Sequence, residues 1–406
     1  MNQNKDETNR LTQKSKTYFL LLTLGLLLLT PSIADGEPWQ GKQGPACKTL
    51  RSMARVYMAF GDYAKAATLA EQALALAKTK NVSDSELCLC VIDLAYVYNN
   101  QGKLSEAENM CKLGLKLQEK VYYKQHPYIA YTLRTLSSIY QGQGRYRDAR
   151  LVLQQAMAIM LDSHSEDDKA MAPFKVDIAE LLVAQGDFAD AKRYYQQALA
   201  SIDSSYGPNH VYTAGVRCSV AKLYLLQGRY AEAESLINQT LVIQEKAYGP
   251  DHHLLAPAWL IMARICQAKK DYAQAEKLLQ KALRVVQNKC GPEHPLTGRV
   301  LSSLGELHIA NQKYDEAERV CRQAVKVLEG SLGVENDHTA KAFNNLARLC
   351  IHQGKYSEAQ NLCQTALKTL EKIFDRNHPN VAEVLATIAQ LNQEAGSVME
   401  VARLQR

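Results

Sequence analysis

A single period governs this sequence. The segments FGDYAKA, QGKLSEA, QGRYRDA, QGDFADA, QGRYAEA, KKDYAQA, NQKYDEA and QGKYSEA recur with their second residues at 61, 102, 144, 186, 228, 270, 312 and 354. The first step is 41 residues, the remaining six are 42, and the stretch around Gly396 prolongs the grid as an incomplete ninth unit. A unit of this length is one supersecondary element that cannot bury its apolar face alone. Neighbouring units must therefore stack into a continuous core.

Each unit reads as two amphipathic helices joined by that turn. In the sixth, Trp259, Met262, Ala263 and Cys266 share one face of a first helix. Tyr272, Ala275, Leu278, Leu279, Ala282, Leu283 and Val286 share one face of a second. Nothing in the chain alternates as a strand does. Seven positions before each turn stand Ala54, Ala95, Ser137, Ala179, Ala221, Ala263, Gly305, Ala347 and Ala389. Five positions after it stand Ala66, Ala107, Ala149, Ala191, Ala233, Ala275, Ala317 and Ala359. Side chains this small let the two helices cross closely, where anything larger would overpack the contact. The expected fold class is all-α, a right-handed α-solenoid of stacked antiparallel helix pairs. Eight repeats fill residues 45–378, and residues 379–406 form a full first helix and a stunted second one that cap the C-terminal end.

These residues also carry a family resemblance. LRTLSSIY (Leu133–Tyr140) and LSSLGELH (Leu301–His308) resemble the first-helix pattern W-x2-L-G-x2-Y of the tetratricopeptide repeat, and Trp259 takes the Trp position itself. The 42-residue unit, the YGPxHP stretches between units and the segment Lys341–Leu367 are similar to the kinesin-light-chain type of that repeat. The resemblance implies a non-enzymatic interaction scaffold. It also implies that Asn344 and Asn345, in the NNLA segment, grip the backbone of a bound peptide, since amide side chains donate and accept at once.

In such a solenoid the first helices line a concave wall suited to an extended peptide or a partner helix. The polar first-helix positions away from the small-residue seam are the candidate wall residues: Arg51, Arg55, Asn99, Asn100, Arg134, Lys222, Arg264, Arg299, Lys341, Asn344, Asn345 and Arg348. Lys222, Arg264 and Arg348 hold the same position in units five, six and eight, so an acidic protein or peptide partner is expected. The plainer alternative is a solvated face, with Asp93, Asp177, Glu180 and Glu306 interspersed. A different class of function, a regulatory or targeting subunit of an exported or envelope enzyme or secretion assembly, fits the same architecture.

His126, His210, His252, His294 and His378 lie on the repeat grid, interrupted by Asp168 and Asn336. Zinc ligands must converge to about 2.1 Å from one ion, which histidines in successive stacked units cannot do. They sit between helices, after Gly207, Gly249 and Gly291, and Pro127, Pro295 and Pro379 follow at first helical positions, so they read as structural punctuation. Cys88 and Cys90 would face opposite sides of a helix. The glycines of Gly142–Tyr146 lie at a helix–helix turn rather than after a strand. No Ser/His/Asp, Cys/His or paired-carboxylate set assembles, so no metal, cofactor or catalysis is expected. Cys111, Cys321, Cys363, Cys266 and Cys350 occupy core slots, with Cys350 and Cys363 placed to approach bonding distance.

The net charge is +6, of which Lys5, Arg10, Lys14 and Lys16 against Asp6 and Glu7 supply +2 within residues 1–34. The remainder is weakly basic without a Lys/Arg block, and nucleic acid is not an expected partner. Lys14 and Lys16 precede an apolar run, Tyr18–Thr30, shorter than the roughly 20 residues a membrane span needs. Ser32 and Ala34 then provide the small residues of a cleavage site. Residues 1–34 read as a secretory signal peptide and 35–44 as a linker, giving an exported protein. The alternative is tethering by an uncleaved signal anchor, the only membrane contact expected.

Overall fold

The structure, a computed structural model, describes residues 45–79, 82–165, 168–376 and 378–404. The leader and linker read into residues 1–44 lie outside them. Seventeen α-helices and two 3₁₀ turns, but no strand, occur among the described residues. The first helices are α1 (Pro45–Ala59), α3 (Asp84–Asn100), α5 (Pro127–Gly142), α7 (Ala172–Ala184), α9 (Val211–Leu226), α11 (Ala256–Ala268), α13 (Pro295–Ala310) and α15 (Asp337–His352). Their antiparallel partners are α2 (Tyr63–Thr79), α4 (Leu104–Val121), α6 (Tyr146–Leu161), α8 (Phe188–Tyr206), α10 (Tyr230–Tyr248), α12 (Tyr272–Cys290), α14 (Tyr314–Leu332) and α16 (Tyr356–Ile373). The last helix of the described residues is α17 (Pro379–Leu404).

The small-residue grid is the seam of each pair. Every alanine five positions after a turn, from Ala66 to Ala359, is wholly buried. At the opposing position Ser137 donates its hydroxyl to the Ala149 carbonyl at 2.9 Å. A Cβ on Gly305 would stand 2.4 Å from Cys321 Sγ. Ala389 is the exception and is exposed, because α17 has no second helix to meet. The stunted second helix expected after Gly396 does not form; α17 runs straight through it. Where other units place an aromatic or Leu two residues after the turn and Ala five after it, this one has Val398 and Val401. A reversed helix would thus overpack its crossing.

The histidines explain how the units are wound. Nδ1 of His126, His210, His252, His294 and His378 accepts the backbone N–H two residues further on, at 3.1–3.3 Å. Each caps the start of a first helix or of the 3₁₀ turn leading into it. Asp168 does the same for Ala170 at 2.8 Å, and Asn336 for His338 at 2.9 Å.

The far ring nitrogen performs a second task in the later units. Nε2 of His252, His294 and His378 donates to the carbonyls of Ala59, Asn100 and Ala184 at 3.0, 2.8 and 2.6 Å. Asn336 Nδ2 donates to Gly142 O at 2.8 Å. Every acceptor lies at the end of the first helix five units earlier, so one superhelical turn takes five units and units six to nine stand on units one to four. Because Nδ1 accepts, these rings are the neutral Nε2–H tautomer. Asparagine offers the same acceptor and donor. Asp168, with no unit beneath it, needs only the acceptor.

Candidate functional site

Winding five first helices into a ring turns the concave wall into a narrow axial shaft. Axes about 10 Å apart lie about 8.5 Å from the ring centre. With a helix radius of about 5 Å including side chains, the bore is on the order of 7 Å.

Neighbouring first helices are tied across this wall by a repeated pairing. The residue nine before one turn meets the residue ten before the previous turn: Asp93 with Arg51 at 2.6 Å, Asp177 with Arg134 at 2.6 Å, Asn345 with Ser302 Oγ at 3.1 Å. Arg55 joins Asp93 at 2.8 Å, Lys341 pairs with Glu306 at 3.1 Å, and Ser219 donates to Glu180 at 2.9 Å. Asn99 Nδ2 donates to Ser138, and Asn100 folds back onto the Tyr96 carbonyl.

These contacts correct part of the sequence reading. Asn344 and Asn345 are each 1% exposed, and Arg51 is buried as well, so none of the three lines an open surface. Their positions face the adjacent first helix, because a ring of five brings those faces together. Arg55, Arg134 and Lys341 are half-buried and already ion-paired. What remains is Lys222, Arg264, Arg299 and Arg348. None is buried, and none makes a hydrogen bond or ion pair among the described residues.

Lys222 is exposed by area, yet burial within the shaft holds its pKa below the ordinary lysine value; Glu180 opposes that shift and Arg299 reinforces it. Burial likewise lowers Arg299. Burial alone would raise the Glu306 carboxyl, but Lys341, Arg264 and Arg348 outweigh it and hold it at about 2. Charged residues of units four to eight thus act on one another along this wall. The sequence reading also passed over Tyr63 and Tyr146, whose hydroxyls reach His253 and Asp337 of the upper turn. Their only signal was the aromatic two residues past each turn.

All ten cysteines are free thiols, and all but Cys290 are buried, including Cys350 and Cys363. Among the described residues no group of His, Cys, Asp or Glu is placed to hold a metal ion.

Tetratricopeptide repeat family models match residues 49–82, 87–162, 171–246, 254–330 and 338–397. The chain belongs to the tetratricopeptide repeat family, whose helical-pair solenoids typically serve protein–protein interaction and generally are not catalysts. No curated protein matches it significantly. Among solved structures it is similar to a Rap protein complexed with Competence and Sporulation Factor, at 14% identity and TM-score 0.55 over 78% of this chain and 90% of that one. It is also similar to BtubC (BKLC) from P. vanneervenii, at 19% identity and TM-score 0.42 over 61% of this chain and 94% of that one. A putative kinesin light chain repeat protein of Podosopora anserina matches at 22% identity and TM-score 0.38, over 51% and 98%.

Proposed function

We propose that this protein is an exported interaction scaffold that holds an extended acidic peptide in its axial shaft. The observation carrying this reading is that, among the described residues, Lys222, Arg264, Arg299 and Arg348 make no hydrogen bond or ion pair and share only the longer-range fields of Glu180, Glu306 and Asp337, while the other basic residues of the wall are matched by neighbours. A bore on the order of 7 Å admits one extended chain. A helix of about 10–12 Å diameter does not fit, which favours the extended peptide over a partner helix. Export rests on the Lys14–Ala34 leader pattern. Among the described residues no helix is long and apolar enough to cross a membrane.

The test is fluorescence anisotropy with a labelled oligoglutamate peptide and the mature full chain. Reversing Lys222, Arg264 and Arg348 to Glu should abolish binding, and added salt should weaken it, because such charges are screened over about 8–10 Å. The melting temperature should hardly move. Unchanged binding by the triple variant, or equal binding of oligolysine, overturns the reading. Intact mass of the native protein should show cleavage between Ala34 and Asp35, and a retained leader overturns the export arm.

A further inference from the structure

The two superhelical turns meet along a seam built largely of histidine. His252, His294 and His378 bridge it as described, while His253, only 3% exposed, shares a 2.7 Å hydrogen bond with Tyr63 Oη. His253 Nδ1 has no partner and presses on Gly61, where an added Cβ would stand 2.4 Å away. We propose that this seam is an acid-opened latch: protonation of these four histidines parts the second turn from the first and opens the shaft along its side.

The bonding explains why the docked turn needs neutral rings. A proton on Nδ1 of His252, His294 or His378 replaces the cap acceptor with a donor facing a backbone N–H. It also sets a positive charge at the positive end of a helix. In His253 it creates a buried charge and an N–H with no acceptor.

The groups around the seam oppose protonation more than they assist it. The rings of His252 and His253 lie 4.5 Å apart, tilted by 34°, and face Lys289, with Tyr248 and Tyr63 alongside. Lys289 also faces Asp62 on the lower rim. His294 faces Tyr63 and Arg299. His378 stacks on Phe374 at 3.8 Å, with Asp337 and Asp375 the carboxylates that assist it. His338, at the start of α15, lies 3.8 Å from Asp337 and feels Arg299, Lys222 and Lys341.

Burial is the leading cause at every one, and all five are lowered, His253 to about 3 and His338 to about 4. A detached or unfolded histidine titrates near 6.5. A lowered value in the docked state therefore means docking is fully favoured above about 6.5 and is lost as pH falls toward the docked values. Asn336 does the same bridging without titrating, so histidine at the other positions is what confers the pH response.

Opening of the seam stands on these contacts alone; its consequence for peptide entry rests on the shaft reading above. Hydrogen exchange of the full chain, followed by mass spectrometry from about pH 7.5 to about pH 5 and corrected for intrinsic rates, reads the seam directly. Peptides spanning the capped amides of Leu254, Leu296 and Asn380 should lose about tenfold or more in protection. The interiors of α8 and α14 should keep theirs. A variant carrying His252→Asn, His294→Asn, His378→Asn and His253→Phe should show no such loss. Should it fail to fold, His294→Asn alone should weaken the response at Leu296, one of the four titrating rings being removed. Wild-type protection that is indifferent to pH, or a response unchanged in His294→Asn, overturns the latch. In the same samples, labelled oligoglutamate should bind faster when the seam is open. A seam that opens while the peptide binds at neither pH overturns the shaft reading and leaves the latch standing.

Discussion

A single methyl group tests the two-turn arrangement. Gly102 ends α3 at φ +75°, and a Cβ there would lie 2.5 Å from Pro295 Cδ and 2.6 Å from its Cγ, in the unit stacked above. Gly228, the equivalent residue of unit five, has φ +73° and nothing within 4 Å. Alanine at either site incurs the same left-handed backbone cost, about 1 kcal/mol. Only Gly102→Ala adds a collision, and with a ring closed onto its own backbone nitrogen that cannot swing aside. Overpacking of this kind costs about 1–3 kcal/mol, so the two variants should differ by that amount. Expressed as exchange at the Leu296 amide, the difference is roughly 5- to 150-fold. Lys270 and Gln312 already hold φ of 64° and 58° at turns with no unit above them, so the conformation alone is tolerated. If Gly102→Ala and Gly228→Ala prove equally destabilising, units two and seven do not touch and the five-unit turn is wrong.

Replacing His294 by Asn should leave thermal stability nearly unchanged, whereas His294→Asp keeps the cap but loses the donor to Asn100 O, at a cost of about 1–2 kcal/mol; equal melting of the two variants would contradict the bridging role. Asp93→Ala strips the partner from Arg51, whose side chain is only 8% exposed, and should destabilise by about 3–5 kcal/mol in urea unfolding. A loss below 1 kcal/mol would show that the pairing across the wall is incidental. Burial pushes the Cys111 and Cys218 thiols to about 12, so in native protein both should resist iodoacetamide at neutral pH and react only after unfolding. Rapid native alkylation of either, read by mass spectrometry, would place it outside the core.

The helical pairs were legible in the sequence because a crossing of two helices tolerates only Ala, Gly or Ser, and that demand repeats every 42 residues. The winding was not. Five units per turn is the sum of small rotations set by how whole faces pack, and no single position records it. That gap misled the reading of Asn344 and Asn345, which would face a groove in a wider coil; in this one Asn345 bonds to Ser302 and Asn344 is buried. The continuation of α17 was readable in principle, since Val401 stands where the seam requires Ala. Asp168 was readable only in part: units six to nine all carry a donor-bearing residue, His, His, Asn and His, but so do units three and five, where His126 and His210 cap without bridging. The unpaired basic residues were named from the sequence; which of their neighbours would already be matched depended on the same winding.

The bonds of the seam join residues 190 to 194 positions apart. Closing a loop of that length costs about 4–5 kcal/mol of chain entropy, and the whole loss falls on whichever bridge forms first. The others then close with no further loop to draw in, so docking of the upper turn is a single cooperative event. A solenoid whose units touch only their neighbours gains stability additively along a line; this one is a strip rolled into a lattice. Unit five is the exception. Its turn glycine has no atom within 4 Å of an added Cβ, and the packing of α9 and α10 is chiefly with sequential neighbours. If the latch opens, unit five is where the upper turn would pivot, and closing that pivot would then be a late step of folding.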